Sequence, residues 1–388
     1  MKKLFWIALL PTLALLSGCN DMFGRKTKLD FITPPQSAGD EVSYVPVFPY
    51  ITNGMQYPTA VIAGNDNLLY VVDSAAQQLI CYDEAGREQS RMTVPGIRAV
   101  AQDRTLDILA LGKDRIVGAE ASDLRQVPTI FRISVKLGRY GLGEDKIVRR
   151  IQQPFLLGRT AVTTLDTAAD FNGIAVLSDN QYYVTRSGEG ADPISQVPYS
   201  SVLLFDNRDR FKTTLSVAGE GGAVYSDFFR NPGAIATLPP RSLVIPNADP
   251  LDFLISTFDQ SEVLPVRYIS VSQGDAGFSY NVKLMAPDLY APGRFVRPQG
   301  LTFATDATGF IFLTDKDSLF QFDAQGSEGI QLRTSQGLQL RKVSFGGTGN
   351  GPFQFNRARG VAYLNQIVYV ADAGNRRVCR FKLSSDFR

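Results

Sequence analysis

One phrase is written twice, near the two ends of the chain. Leu69-Tyr70-Val71-Val72-Asp73 runs through a polar turn to Cys81-Tyr82, and Val368-Tyr369-Val370-Ala371-Asp372 runs through another to Cys379-Arg380-Phe381. Each copy is an apolar β-type run closed by aspartate, then a turn, then a second run. Recurrence of such a unit means a repeat architecture. A single unit is too small to bury both faces of its sheet, so units must stack on one another.

A second phrase opens the units. Phe229-Arg230-Asn231-Pro232-Gly233-Ala234-Ile235, Phe295-Val296-Arg297-Pro298-Gln299-Gly300-Leu301 and Phe355-Asn356-Arg357-Ala358-Arg359-Gly360-Val361 share one spacing, and looser copies begin near Pro58, Pro95 and Asn172. Six units follow, starting near residues 58, 95, 172, 232, 298 and 358. Their runs are short and bounded by Gly, Asp, Asn and Pro, and no 3.6-residue apolar period of helical length appears beyond residue 18, so the chain reads as all-β. Residues 43–51, SYVPVFPYI, form a lone strand whose prolines suit only a sheet edge.

Residues 346–381, GGTGNGPFQFNRARGVAYLNQIVYVADAGNRRVCRF, resemble an NHL repeat. The resemblance implies a six-bladed β-propeller over residues 43–388, with four-stranded blades and the N-terminal strand closing the last of them. Closure of that kind hides sheet edges.

The first residues read as an address. Lys2 and Lys3 precede the apolar run Leu4 to Leu16, which is too short to span a bilayer comfortably. Leu16-Ser17-Gly18-Cys19 follows and resembles the bacterial lipobox. That implies a signal peptide over 1–18, a lipidated Cys19 and a flexible tether to residue 42. Asn20 after the cysteine leans toward the outer membrane, so the expected place is the cell envelope, with the lipid in the membrane.

Removing residues 1–18 takes two of the 40 basic side chains and leaves them equal in number to the 38 acidic ones. Such a balance gives no reason to bind nucleic acid. The cut also removes Trp6, the single tryptophan, and the chain has no histidine. Ser-His-Asp or Cys-His nucleophiles and histidine-bound zinc are therefore excluded. These absences tilt the reading toward a non-enzymatic module binding an envelope protein or peptide, an accessory of an outer-membrane assembly. Carbohydrate or peptidoglycan binding is a third reading that rests only on tyrosine and phenylalanine.

Two cysteines remain, Cys81 and Cys379. Asp73 precedes the first by eight residues and Asp372 precedes the second by seven, so strand alternation places the thiols on opposite sheet faces. Packed sheets lie about 10 Å apart, beyond disulfide reach. Two free, buried thiols are expected.

Asp73, Asp315 and Asp372 recur at one position and read as turn-holding carboxylates rather than metal ligands. The third unit departs from the rest. FNGIAVLSDNQYYVTRS, residues 171–187, resembles a phrase of calcium-dependent lactonases and strictosidine-synthase-like propellers, which implies a channel-facing Asn172 able to bind Ca²⁺. Gln299 stands where that family carries Asp, and calcium wants six to eight oxygens. This makes a calcium-dependent lactonase or hydrolase the alternative function. For the binding reading, the loops at 113–128, 186–200 and 272–297 are expected to converge on one rim, which would present Arg186, Glu189, Asp192, Tyr199, Tyr290 and Arg294.

Overall fold

A computed structural model describes residues 42–215, 229–239, 248–275, 277–334 and 337–387. Cys19, the signal peptide and nearly all of the tether lie outside the described residues. Six four-stranded antiparallel sheets follow one another along the chain as the blades of a β-propeller. The first is built from Pro58–Ala63, Leu69–Asp73, Gln78–Tyr82 and Glu88–Thr93, and the next four repeat that order outward from the ring axis. The fifth blade carries an additional hairpin, Ile330–Thr334 with Gly337–Arg341, before its short last strand.

The sixth blade is completed from the far end of the chain. Ala358–Leu364, Ile367–Asp372 and Arg377–Leu383 supply three strands, and Tyr44–Pro46 pairs with the third, Tyr44 opposite Leu383 and Pro46 opposite Phe381. The lone N-terminal strand thus has its partner, and its proline sits on the outer edge.

Alternation along the strands produces a core between every pair of neighbouring blades. Val361, Val370 and Cys379 of the sixth blade pack on Phe312 and Leu319 of the fifth, while Ala362, Tyr369 and Val378 on its other face meet Val61, Val71 and Ile80 of the first. Cys81 faces the second blade instead. The two thiols are free and buried on opposite sides of the seam, and burial pushes the Cys81 thiol up to about 12.

The recurrent aspartates tie blade to linker. Asp73 accepts the backbone N–H of Gln56 (2.6 Å), Tyr57 (3.0 Å) and Ala76 (3.1 Å); Asp315 accepts those of Val296 (3.0 Å) and Arg297 (2.8 Å); Asp372 accepts that of Asn356 (2.7 Å). Each carboxylate therefore fixes the residues that lead into the innermost strand. A hydroxyl near the end of the second strand makes a further tie, across to the next blade: Ser256 Oγ donates to Pro298 O (3.1 Å) and Thr314 Oγ1 to Arg359 O (2.6 Å). Gly300 and Gly360 permit this close approach, since a Cβ would stand 2.4 Å from Arg359 O and 2.6 Å from Ala60 Cα respectively.

Candidate functional site

The innermost strands begin with a bulge. Pro58 pairs with Asp73 and Ala60 with Val72, which leaves Thr59 out of the ladder; Phe171 pairs with Arg186 and Gly173 with Thr185, which leaves out Asn172. The same shift releases Gly233 in the fourth blade and Arg359 in the sixth. In the second and fifth blades the ladder starts at Ala99 and Gly300, immediately after Arg98 and Gln299. A bulge re-aims a side chain away from the alternation. Here Thr59, Arg98, Asn172, Gln299 and Arg359 all line the central channel, a cavity of about 920 Å³. Gly233 holds the equivalent place in the fourth blade, where a Cβ would come within 2.4 Å of the Phe258 ring.

Below this ring of residues the channel is walled by small and aliphatic side chains, among them Ala60, Val61, Val100, Ile174, Ile235 and Val361. Asn65, Gln102, Arg104 and Asn365 surround the opposite mouth. Among the described residues no Asp or Glu lines the cavity, and four arginines do: Arg98, Arg104, Arg297 and Arg359. Arg98 is paired with Asp170 at 2.7 Å and Arg297 lies over the Phe258 ring, 4.9 Å from its centroid. Among the described residues Arg359 has no carboxylate partner; its Nη2 donates to the Tyr57 hydroxyl at 3.5 Å.

Three buried side-chain polar atoms on this ring have no hydrogen-bond partner among the described residues: Thr59 Oγ1, Gln299 Nε2 and Arg359 Nε. Buried polar groups are nearly always paired, and leaving one unpaired costs about 1–3 kcal/mol. All three atoms belong to residues that line the channel. Tyr57 stands beside them, its phenol oxygen accepting from Arg357 Nη1 at 3.2 Å as well as from Arg359. Burial raises that phenol, but the two guanidinium bonds outweigh it and hold its pKa below the ordinary value of 10.0.

Calcium does not fit this donor set. Asn172 is oriented by its amide nitrogen, which donates to Ser187 Oγ (2.9 Å) and Pro232 O (2.8 Å), and offers a cation at most one side-chain oxygen. The neighbouring positions offer guanidinium and amide N–H groups where a hard cation needs carboxylate and carbonyl oxygens. Among the described residues no group of three His, Cys, Asp or Glu side chains is placed to hold a metal ion.

The expected rim is not a free face. Arg186 is 0% exposed and donates to Tyr199 O (2.8 Å), Gln153 Oε1 (3.1 Å), Pro198 O (3.1 Å) and Ser201 Oγ (3.1 Å), with its guanidinium over the Tyr199 ring. Burial lowers its pKa to about 10. Tyr199 and Asp192 are buried too, bonded to Asp166 (2.7 Å) and Arg159 (2.8 Å). Tyr290 donates to Lys283 O (2.7 Å), and Arg294 pairs with Glu328 (2.7 Å) while lying over Phe295, Phe320 and Phe322. Of the six, Glu189 alone is exposed. The loops fold inward because their charges find partners there, so the rim set is corrected to a set of internal ties.

Thr59, Arg98, Arg297, Arg359 and Tyr57 were not singled out by the sequence reading. A signal was present in part: Thr59, Arg98, Asn172, Gly233, Gln299 and Arg359 each stand immediately before a small residue, Ala or Gly, near the start of the innermost strand.

No family model and no curated protein sequence matches the chain. Solved structures do. An auxiliary nutrient binding protein from Bacteroides thetaiotaomicron is similar over 88% of this chain and 76% of its own, with a TM-score of 0.52 and 11% identity. A luciferin-regenerating enzyme is similar over 87% and 95%, with a TM-score of 0.51 and 12% identity. A gluconolactonase from Xanthomonas campestris is similar over 86% and 88%, with a TM-score of 0.49 and 12% identity. At this identity the likeness establishes the shared fold. The leaning toward a non-enzymatic protein- or peptide-binding module is corrected on two findings: the ring is one that enzymes use, and unpartnered polar atoms gather in the channel while the rim side chains turn inward. What the chain belongs to, on fold, is the six-bladed β-propellers.

Proposed function

We propose that the chain is a channel-site enzyme that hydrolyses an ester or lactone carried on a small organic anion. The observation that carries this reading is the trio of orphaned atoms, Thr59 Oγ1, Gln299 Nε2 and Arg359 Nε, on residues that line an arginine-rich channel. A carboxylate on the substrate answers the uncompensated positive charge. A carbonyl oxygen answers the trio, and donors aimed where negative charge develops are worth most in a site shielded from water. The likeness of residues 171–187 to lactonase sequences supports the reaction class. The carbonyl polarisation that calcium supplies in those lactonases falls here to a guanidinium, an amide and a hydroxyl.

Turnover is tested on lactones and esters bearing a carboxylate, followed by acid release in the presence of EDTA. The expected result is hydrolysis that survives the chelator and drops about 100-fold or more in a folded Arg359→Ala variant, the scale seen when one oxyanion donor is removed. The hydroxy-acid product is expected to raise the melting temperature of the parent chain and not of the variant. A panel with neither turnover nor stabilisation would overturn the reading.

Lipid anchoring at Cys19, with residues 1–18 removed and the propeller held at the envelope, is proposed beside this. The sequence around the cysteine supports it. Cys19→Ala is expected to move the protein from the membrane fraction to the soluble one, and an unchanged distribution would sink it.

A further inference from the structure

We propose that Tyr57 is the proton-transfer group of the channel site, its phenol oxygen taking the proton of the attacking water and returning it to the leaving alkoxide. The assignment rests on the channel reading above and adds the group that moves the proton. Its basis is placement. Tyr57 is the last linker residue before the bulge of the first blade, and its backbone N–H is held by Asp73 Oδ1 at 3.0 Å. Its hydroxyl oxygen accepts from two guanidinium groups, Arg357 Nη1 at 3.2 Å and Arg359 Nη2 at 3.5 Å.

One of those guanidinium groups is shared with the trio. Arg359 offers Nη2 to the phenol while its Nε is one of the unpartnered atoms on the channel. A planar guanidinium fixes the direction of all its N–H bonds, so a carbonyl oxygen on Nε is brought beside the Tyr57 oxygen. The charged groups around the phenol come from three elements. Arg357 and Arg359 enter from the sixth blade, Asp73 holds the tyrosine's own backbone, and Asp317 of the fifth blade takes the Arg357 N–H at 2.6 Å. The two cations contact the hydroxyl, whereas the two carboxylates are occupied with backbone N–H groups. The phenolate is thus favoured, consistent with a pKa below 10.0. Tyr44, Tyr70, Tyr182 and Tyr363 are pushed up by burial instead.

The step balances without a metal or a redox partner. Water oxygen bonds to the acyl carbon as its proton passes to the Tyr57 phenolate. The oxyanion rests on Thr59 Oγ1, Gln299 Nε2 and Arg359 Nε. Collapse breaks the bond from acyl carbon to alkoxy oxygen, and the phenol proton goes to that oxygen. One water is consumed, yielding an alcohol and a carboxylic acid that releases its proton to solvent, with Tyr57 returned to its starting phenolate. A phenolate base acts through its ionised fraction, so kcat/KM is expected to rise with pH while the phenol is mostly protonated and to level off once it is ionised.

The test compares the full chain with Tyr57→Phe and Arg357→Ala. For Tyr57→Phe the expected result is product binding within about threefold of the parent, with kcat lowered about 100-fold or more and the pH slope abolished. Ultraviolet titration of phenolate needs no substrate: the tyrosine that ionises first in the parent is expected to vanish in Tyr57→Phe and to shift upward in Arg357→Ala. Retention of kcat and its pH slope in Tyr57→Phe, or of the early-titrating phenol, would overturn the assignment while leaving the channel reading intact. Failure of the parent to bind or turn over any anion removes both.

Discussion

A chain shortened to begin at Thr52 is expected to lose the folded ring, while one beginning at Val42 unfolds as the full protein does. The shorter chain lacks Tyr44 and Ile51, which are 4% and 3% exposed in the closed seam. Burying each contributes about 1.5–3 kcal/mol. It also lacks the acceptors and donors that answer the last strand: Val47 N bonds Arg380 O (2.8 Å), and Ile51 exchanges two bonds with Val378 (3.0 and 2.8 Å). Each such bond nets about 1 kcal/mol. Together these losses reach well into the 5–15 kcal/mol that holds a typical domain. The exposed edge of Arg377–Leu383 would also recruit other chains. Circular dichroism melting and size-exclusion chromatography read the outcome. A synthetic peptide of residues 42–51 is expected to restore the melting transition by adding the missing strand in trans. A cooperative, monomeric melt of the Thr52 chain without peptide would show that the seam is dispensable.

Arg159→Ala carries the second large effect, a loss of about 3–5 kcal/mol, the scale for stranding a buried charge. Arg159 bonds Asp166 at 2.7 Å and Asp192 at 2.8 Å, and the two carboxylates are 0% and 1% exposed. Removing the cation leaves both without an ionic partner. The pH dependence separates this from simple cavity formation. In the parent, burial pushes Asp166 up, but bonds from Thr163, Tyr199 and Gln153 outweigh it and hold the carboxyl below its ordinary 3.8. A depressed carboxylate contributes stability that is present above its unfolded pKa and is lost as pH falls through the folded one. The parent is therefore expected to weaken below about pH 4. In Arg159→Ala burial is less well opposed and the folded pKa rises, so protonation relieves the variant as pH falls. The deficit, measured by urea unfolding, is expected to be largest near pH 7 and visibly smaller near pH 4. A deficit constant across that range would assign the loss to packing alone.

The ring itself was legible because its repeat is spelled in short-range chemistry. An apolar run ending in aspartate is a local statement, and two copies with offset cysteines were enough to place Cys81 and Cys379 on opposite faces of a closed seam. The lone strand at 43–51 was legible for the same reason, since prolines restrict it to an edge. The loop at 186–200 was not. A polar loop reads as solvent-facing unless its partners are known, and the ties that seat this loop on the ring include Gln153 to Arg186 and Arg159 to Asp192, each more than thirty residues apart. The tilt away from catalysis failed differently. A missing histidine excludes histidine chemistry, and it says nothing about a tyrosine set between two arginines.

The bulges at the head of the innermost strands leave Thr59, Asn172, Gly233 and Arg359 without partners in the ladder. A residue that pairs with nothing can be exchanged without shifting its strand, so the inner wall of this ring can be rewritten one blade at a time. Six letters, Thr-Arg-Asn-Gly-Gln-Arg in chain order, then spell the chemistry of the pore, and only the fourth is held fixed, by the Phe258 ring 2.4 Å from where its Cβ would stand. A designer wishing to redirect the protein toward a neutral or cationic guest would start with the second and sixth of them.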